Sequence, residues 1–298
     1  MLYKFQRNYE LDVQGNDGKL HTFQYPLTLD FQVKRNVLAS ANTCNLKIYN
    51  LGQQTRNVIY KDQFSQSLSF RSLILKAGYG QTVPIIFNGN VKMAQSYRLD
   101  KSVNFITEIE GFDYGWAIVN ATSSFNMSGT VQTPTVINQL IADLQKTVPS
   151  KTLGIGAISN QFNTVYSTRG VSIAGSTWNN LQKVTNNQTF IDNGNVFCLF
   201  ENDVFNSDLT VINSETGLLG TPKKQDRMII VEILFEPRLN IGQQVSLQSS
   251  SLTQFNGNYK VVGIEHHGTI SAAVGGECKT IVSLLLPFEK INVLEGNG

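Results

Sequence analysis

This chain reads as mainly β (α+β overall): two related β-barrel or β-sandwich domains, residues 1–120 and 191–298, with a small α+β domain at 121–190 between them. Three observations predict it. Short alternating apolar runs recur at both ends of the chain with turn residues between them, as in sandwiches and small barrels. Apolar residues at helical spacing are concentrated in the middle. Phe-Asn-Gly-Asn occurs twice, at Phe87–Asn90 and Phe255–Asn258, in matching surroundings. A glycine-bearing stretch precedes each copy (Gly78-Tyr79-Gly80 and Gly242-Gln243-Gln244). A strand-like run follows each (Val91-Lys92-Met93 and Tyr259-Lys260-Val261-Val262), and a Thr-led segment closes each (Thr107-Glu108-Ile109 and Thr280-Ile281-Val282). Asn-Gly alone is a common hairpin turn, because both residues tolerate positive φ. With its flanks it predicts one β-module used twice, with Asn88-Gly89 and Asn256-Gly257 at equivalent turns.

The elements follow in order. Leu27, Leu29, Phe31 and Val33 alternate with Thr28, Asp30 and Gln32, a half-buried strand. Leu46–Tyr49 is another, ended by Asn50-Leu51-Gly52, and residues 53–61 form a short helix at its edge. Leu68–Ala77, Ile85–Phe87, Val91–Met93 and Val103–Ile109 complete the first set of strands. In the middle, Thr133 as N-cap and Pro134 at the first position start a helix whose Ile137, Leu140, Ile141 and Leu144 share a face. Trp178, Leu181 and Val184 mark a second helix after Gly175-Ser176-Thr177. Strands return at Val196–Phe200, Leu209–Ile212, Met228–Phe235, Val245–Leu247, Tyr259–His266 and Lys279–Leu286, and Glu295–Gly298 reads as a frayed end.

Composition narrows the function classes. The chain is 41% apolar but only 15% charged, well under the ~25% of an average soluble domain. Asn, Gln, Ser and Thr replace the missing charge, a pattern expected of a chain that faces other proteins, since interface cores are depleted in charge. A net charge of +2 with no Lys/Arg stripe predicts no specific nucleic-acid binding. The densest basic cluster, Lys223-Lys224 with Arg227, reads as a solvated loop. Residues 1–7 lead into polar sequence without an apolar core, so no secretory signal is expected, and no apolar run approaches the ~18 residues of a membrane span. Cys44, Cys198 and Cys278 are odd in number, far apart and in strand-like runs, which predicts reduced, buried thiols.

No residue constellation predicts catalysis, a metal or a cofactor. His266-His267 is the only imidazole pair, and neighbours on a strand point to opposite faces, so even with Cys278 nearby they make a poor chelate. His21 stands in a polar turn without a companion motif. Glu108, Glu110 and Asp113 resemble a glycosidase carboxylate pair only in type, because Glu108 and Glu110 share the face where solvated charges lie. Gly154-Ile155-Gly156 is too short for a phosphate loop.

Two groups of segments carry a pattern: Asn45–Leu51, Leu73–Gly80, Ile86–Val91 and Thr107–Asp113 in the first module, and Pro237–Leu247 and Gly257–His266 in the second. The latter two match Pro-x-Leu-x-x-Gly-x-x-Val and Gly-x-Tyr-x-Val-x-x-Ile-x-His. In this order and spacing the two β-modules together resemble baseplate hub proteins of contractile-tailed bacteriophages. About two thirds of the chain is covered, most weakly from 121 to 195. The resemblance implies a virion protein of the tail baseplate, assembled in the bacterial cytoplasm, with two tube-type β-domains per protomer. It further implies a homotrimer that forms a pseudo-hexameric ring between the six-fold tail tube and the three-fold central spike. The implied partners are tail tube proteins, the spike, and the tape measure and other baseplate proteins; no membrane is implied, and no enzyme activity. A second reading is a carbohydrate- or peptidoglycan-binding module built on Phe162, Tyr166, Trp178, Asn179 and Asn180, which needs exposed aromatics. A third is a hydrolase with an unrecognised site.

Overall fold

A computed structural model describes residues 6–37, 41–62, 70–99, 102–149, 152–273, 275–286 and 290–294, without the side chains of 206–208. The start of the strand read at Leu68 and the end read at Glu295–Gly298 lie outside the described residues.

The first third is strand-built: β1 (Arg7–Gln14), β2 (Leu20–Gln24), β3 (Leu29–Asn36), β4 (Thr43–Tyr49), helix α1 (Gln53–Ile59), β5 (Ser72–Tyr79), β6 (Ile85–Arg98) and β7 (Phe105–Phe112). The middle holds α2 (Gly115–Asn120), β8 (Thr122–Met127), β9 (Val131–Gln132), α3 (Thr133–Gln145), β10 (Gly154–Ile158), β11 (Val165–Ser167), β12 (Val171–Ser176), α4 (Thr177–Val184), β13 (Thr189–Asp192) and β14 (Asn195–Cys198). The last third is β15 (Asp203–Ile212), β16 (Leu218–Gln225), β17 (Met228–Leu234), β18 (Gln243–Leu247), β19 (Gly257–Ile270), β20 (Cys278–Leu285) and β21 (Asn292–Leu294). The mainly β class read from the sequence is the class observed.

Both terminal thirds contribute to one 14-stranded sheet, in the order β16-β17-β20-β19-β3-β4-β7-β6-β5-β1-β2, with β15, β18 and β21 off that path. The seam is the antiparallel pair β19–β3, from Gly263↔Asn36 to Ile270↔Leu29. Alternation explains why β3 can sit there: Leu29, Phe31 and Val33 point inward while Asp30, Gln32 and Lys34 point out. One apolar cluster lies under the first third, a second under the middle and a third under the last. Helix α3 buries Val136, Ile137, Leu140, Ile141 and Leu144 against α4, whose Trp178 and Leu181 are in the same cluster.

Three local readings differ from the structure. Lys223 and Lys224, read as part of a solvated loop, lie in strand β16 opposite Ile230 and Ile229. Thr133 lies within α3 rather than capping it; Gln132 is the cap residue and makes no side-chain capping bond, while Pro134 does stand in the first turn. The Asn88-Gly89 hairpin does not exist: Ile85–Arg98 is one 14-residue strand running straight through the pair. Asn88 and Gly89 are opposite Ile74 and Leu73 of β5, so the ladder supplies the partners a turn would have supplied. Gly89 is needed there for space, since a Cβ would stand 2.3 Å from the Phe112 carbonyl oxygen and 2.9 Å from Asp113 Cα. Asn256-Gly257 is no hairpin either, because it links a short 3-10 turn at Thr253–Phe255 to the start of β19.

Candidate functional site

The chemically dense part of the molecule is a buried polar network where the three regions meet. Alternation along β3 turns Arg35 inward in line with Val33, and it is only 2% exposed. A buried guanidinium requires a counter-charge. Asp192, at the end of β13, provides it as a two-pronged pair: Nε donates to Oδ1 at 2.8 Å and Nη2 to Oδ2 at 2.6 Å. Burial would lower the Arg35 pKa, but the Asp192 carboxylate outweighs it and holds the group charged. Asn42 Nδ2 donates to Asp192 Oδ1 and Asp113 Oδ2, both at 3.2 Å, and to the Ile191 carbonyl at 3.0 Å. Asp113 also accepts from the Asn193 and Gly194 amides at 2.7 and 3.2 Å. Burial first and the nearby Asp192 charge second push Asp113 up to about 7, against these hydrogen bonds. The Arg35, Asp192, Asn42 and Asp113 side chains all have internal partners, and the network holds β3, the end of β7 and the β13–β14 turn together. It contains no nucleophile paired with a base.

Sequence reasoning considered Asp113 only as a carboxylate beside Glu108 and missed Arg35 and Asp192. A signal was present: extending the β3 alternation by one inward position lands on an arginine, which demands a buried acid somewhere.

The other singled-out residues are structural in their contacts. His266 is fully buried, Nδ1 is 2.8 Å from Thr280 Oγ1, and the ring meets Phe235 edge-on at 5.4 Å. Burial, and then the Arg35 charge, lower its pKa well below the usual range, so it is neutral. His267 is on the opposite face, level with Gln32 and Lys279. Among the described residues no group of three or more His, Cys, Asp or Glu is arranged to hold a metal ion. Glu108 and Glu110 face Lys47 and Lys92 at 3.7 and 3.1 Å. The three cysteines are buried free thiols, as read. Trp178 and Phe162 are in the core, leaving Tyr166 as the one exposed ring of the three aromatics in the sugar-binding reading. Arg227 of the basic cluster pairs with Glu201.

A second feature is a match between the two ends of the chain. β6 and β19 are both 14 residues long, and each pairs with an 8-residue strand, β7 or β20. Each pair contains one register shift, between Val91 and Met93 in β6 and between Val261 and Gly263 in β19. Superimposing the two bulges makes Asn90 correspond to Lys260, Ser96 to His266 and Thr107 to Thr280. Thr107 and Thr280 are both 0% exposed, and each hydrogen-bonds the corresponding cross-strand side chain, Ser96 at 2.9 Å and His266 at 2.8 Å. The first halves of the long strands pair antiparallel with β5 and β18, so that Leu73 corresponds to Val245 and Leu75 to Leu247. Outside β7 and β20 lie β4 and β17, then β3 and β16. The Thr-led repeat therefore occupies equivalent positions. Phe-Asn-Gly-Asn does not, since Asn88 corresponds to Asn258 rather than Asn256.

Comparison with known proteins agrees with this architecture. A sequence model of the family described as Baseplate hub gp41 matches residues 11–270. A search of curated proteins gave no match. Among solved structures the fold is similar to the 43 kDa tail protein of prophage MuSo2 from Shewanella oneidensis, with TM-score 0.59, 9% identity, and 93% of this chain and 98% of that one covered. It is similar to a tail protein of Neisseria meningitidis MC58, with TM-score 0.59, 10% identity and 93% and 96% covered. A component of the E. coli type VI secretion system, itself described as structurally similar to the T4 tail proteins gp27 and gp5, has TM-score 0.51, 7% identity and 93% and 77% covered. At these identities the likeness is one of fold.

Proposed function

Because the chain belongs to the baseplate hub gp41 family, and so has a structural role in a phage tail, we propose that it is the trimeric hub of a contractile tail. Residues 1–120 and 191–298 are then two tube-type domains, and 121–190 is a small α+β domain between them. Three protomers place six like modules in a pseudo-hexameric ring, which docks the six-fold tail tube on one side and the three-fold central spike on the other. The observation that carries this reading is the bulge-register match: β5-β6-β7 and β18-β19-β20 present the same ladder twice in one chain. A cyclic assembly with two like modules per protomer is the closed solution that turns three-fold into approximate six-fold symmetry. The low charge of the chain, 15% Asp, Glu, Lys and Arg, suits surfaces that are covered in an assembly. The ring lies in the virion baseplate and is built in the host cytoplasm. It contacts tube, spike, tape measure and other baseplate proteins, and cutting of the cell wall falls to a partner.

Light scattering and class-averaged electron micrographs of the purified chain test the proposal. The expected result is a particle of three times the 33.1 kDa chain mass, with three-fold averages showing six lobes. A stable monomer that neither tube nor spike protein converts to a trimer would sink it.

A further inference from the structure

The two modules share the β6–β7 and β19–β20 ladder with its bulge, but differ in who occupies their edges. In β19 one edge is shared: Gly257–Lys260 pairs with β18, and Gly263–Ile270 pairs with β3. In β6 the first half of the matching edge pairs with β5, as far as Asn90. Beyond it there is a single bridge, Lys61↔Ala94, and among the described residues no strand pairs with β6 on that side from Gln95 to Arg98. The strand that corresponds to β3 is β16, because β16 lies outside β17 as β3 lies outside β4. Among the described residues β16 is the terminal strand of the 14-stranded sheet and pairs only with β17. The chain thus makes the β3–β19 contact once and keeps the components of a second such contact at separate places, one of them the end of its sheet.

We propose that β16 of one protomer adds to the open half of β6 in the next. This inference rests on the ring reading above and specifies its interface. Transposing the β3–β19 register gives the pairs. Val33↔His266 becomes Lys224↔Ser96, Gln32↔His267 becomes Lys223↔Tyr97, and Asp30↔Thr269 becomes Leu219↔Leu99. The last pair is an independent check. Leu219 and Leu99 are 37% and 53% exposed, and a transposition that uses no exposure information places one against the other. Backbone direction agrees as well. Ala94 exchanges both its N–H and C=O with Lys61, so Ser96 and Arg98, two and four residues on, turn theirs to the same edge. Lys223 would lie on the face of Tyr97 and Gln95, beside Glu108, which is opposite Gln95. The corresponding face of the internal seam carries Lys34 and Gln32 on Glu265, at 3.7 and 2.7 Å. Pro222, which has no N–H to donate, falls in the stretch where β16 shifts register against β17. An open cleft of about 530 Å³ between α1 and β6, lined by Tyr60, Gln95 and Ser96 among others, leaves the β6 edge accessible. The contact is heterologous and joins unlike ends of neighbouring copies, so it propagates around a ring.

The test uses the full chain with Tyr97→Cys and Lys223→Cys. Opposite residues in a pair without mutual hydrogen bonds have close Cα atoms and suit a disulfide. The native thiols are buried and contribute little background. After mild oxidation the double variant should run as a ladder ending at the covalent ring, each single variant should stay unlinked, and the two singles mixed should give dimers. Tyr97→Cys with Gln225→Cys, displaced by two residues, should link less. Hydrogen exchange on the unaltered chain gives a second readout, with the Ser96 and Arg98 amides protected in the assembly. A trimer of normal mass with no cross-link and with those amides unprotected overturns the edge pairing and leaves the ring reading standing. A monomer under all conditions overturns both.

Discussion

Asp113 should give the protein a pH-dependent stability that a single substitution removes. Its carboxyl is buried among Asn42, Asn193 and Gly194 and titrates at about 7, against 3.8 for an unburied aspartate. The folded state therefore binds this proton more tightly than the unfolded chain. Between pH 4 and 7 the native protein retains a proton that the unfolded chain has released. Stability from this group is fully present below about pH 4 and is lost as pH rises through 7. A difference of about 3 pKa units corresponds to about 4 kcal/mol over that window. Asp113→Asn cannot ionise and should lack this decline, although its amide cannot accept every donor now aimed at the carboxylate, which costs about 1–3 kcal/mol. Urea unfolding at pH 4.5, 6 and 8 and constant ionic strength reads the difference. The variant should be the weaker protein at pH 4.5 and should gain on the wild type by several kcal/mol by pH 8. Asp17, Asp143 and Glu277 have lowered pKa values, so their contributions change at the acid end and are shared by both proteins. Parallel pH profiles for the two proteins would refute the argument.

Three further tests probe the same framework. Arg35→Met leaves Asp192 without its buried cation and should cost about 3–5 kcal/mol, most of it recovered by adding Asp192→Asn; thermal unfolding of the single and double variants checks both. Gly89→Ala drives a Cβ into the Phe112 and Asp113 backbone and should cost about 1–3 kcal/mol, whereas Gly52→Ala, with nothing within 4 Å, should be tolerated. Thr280→Val takes the hydroxyl from both His266 Nδ1 and the Glu236 amide, which should cost about 1–3 kcal/mol. If it is neutral in urea unfolding, the buried pair is not a stabilising feature of the second ladder.

What the sequence determined by itself is whatever depends on residues close together in the chain. Alternation placed Leu29, Phe31 and Val33 on one buried face, helical spacing placed Ile137, Leu140, Ile141 and Leu144 on another, and the Thr-led segments proved to occupy equivalent sites in β7 and β20. Side-chain period follows from local backbone geometry, so it survives without knowledge of the rest of the fold. The tertiary structure decided the remainder. Asn88-Gly89 has the local preference of a turn, yet hydrogen bonds from β5 and the approach of Phe112 hold it extended in β6. The seam between Gly263–Ile270 and Leu29–Asn36, and the salt bridge from Arg35 to Asp192, join residues more than 150 positions apart. Strand edges are chemically alike, each a row of N–H and C=O groups. Which edges meet is set by the packing of whole sheets.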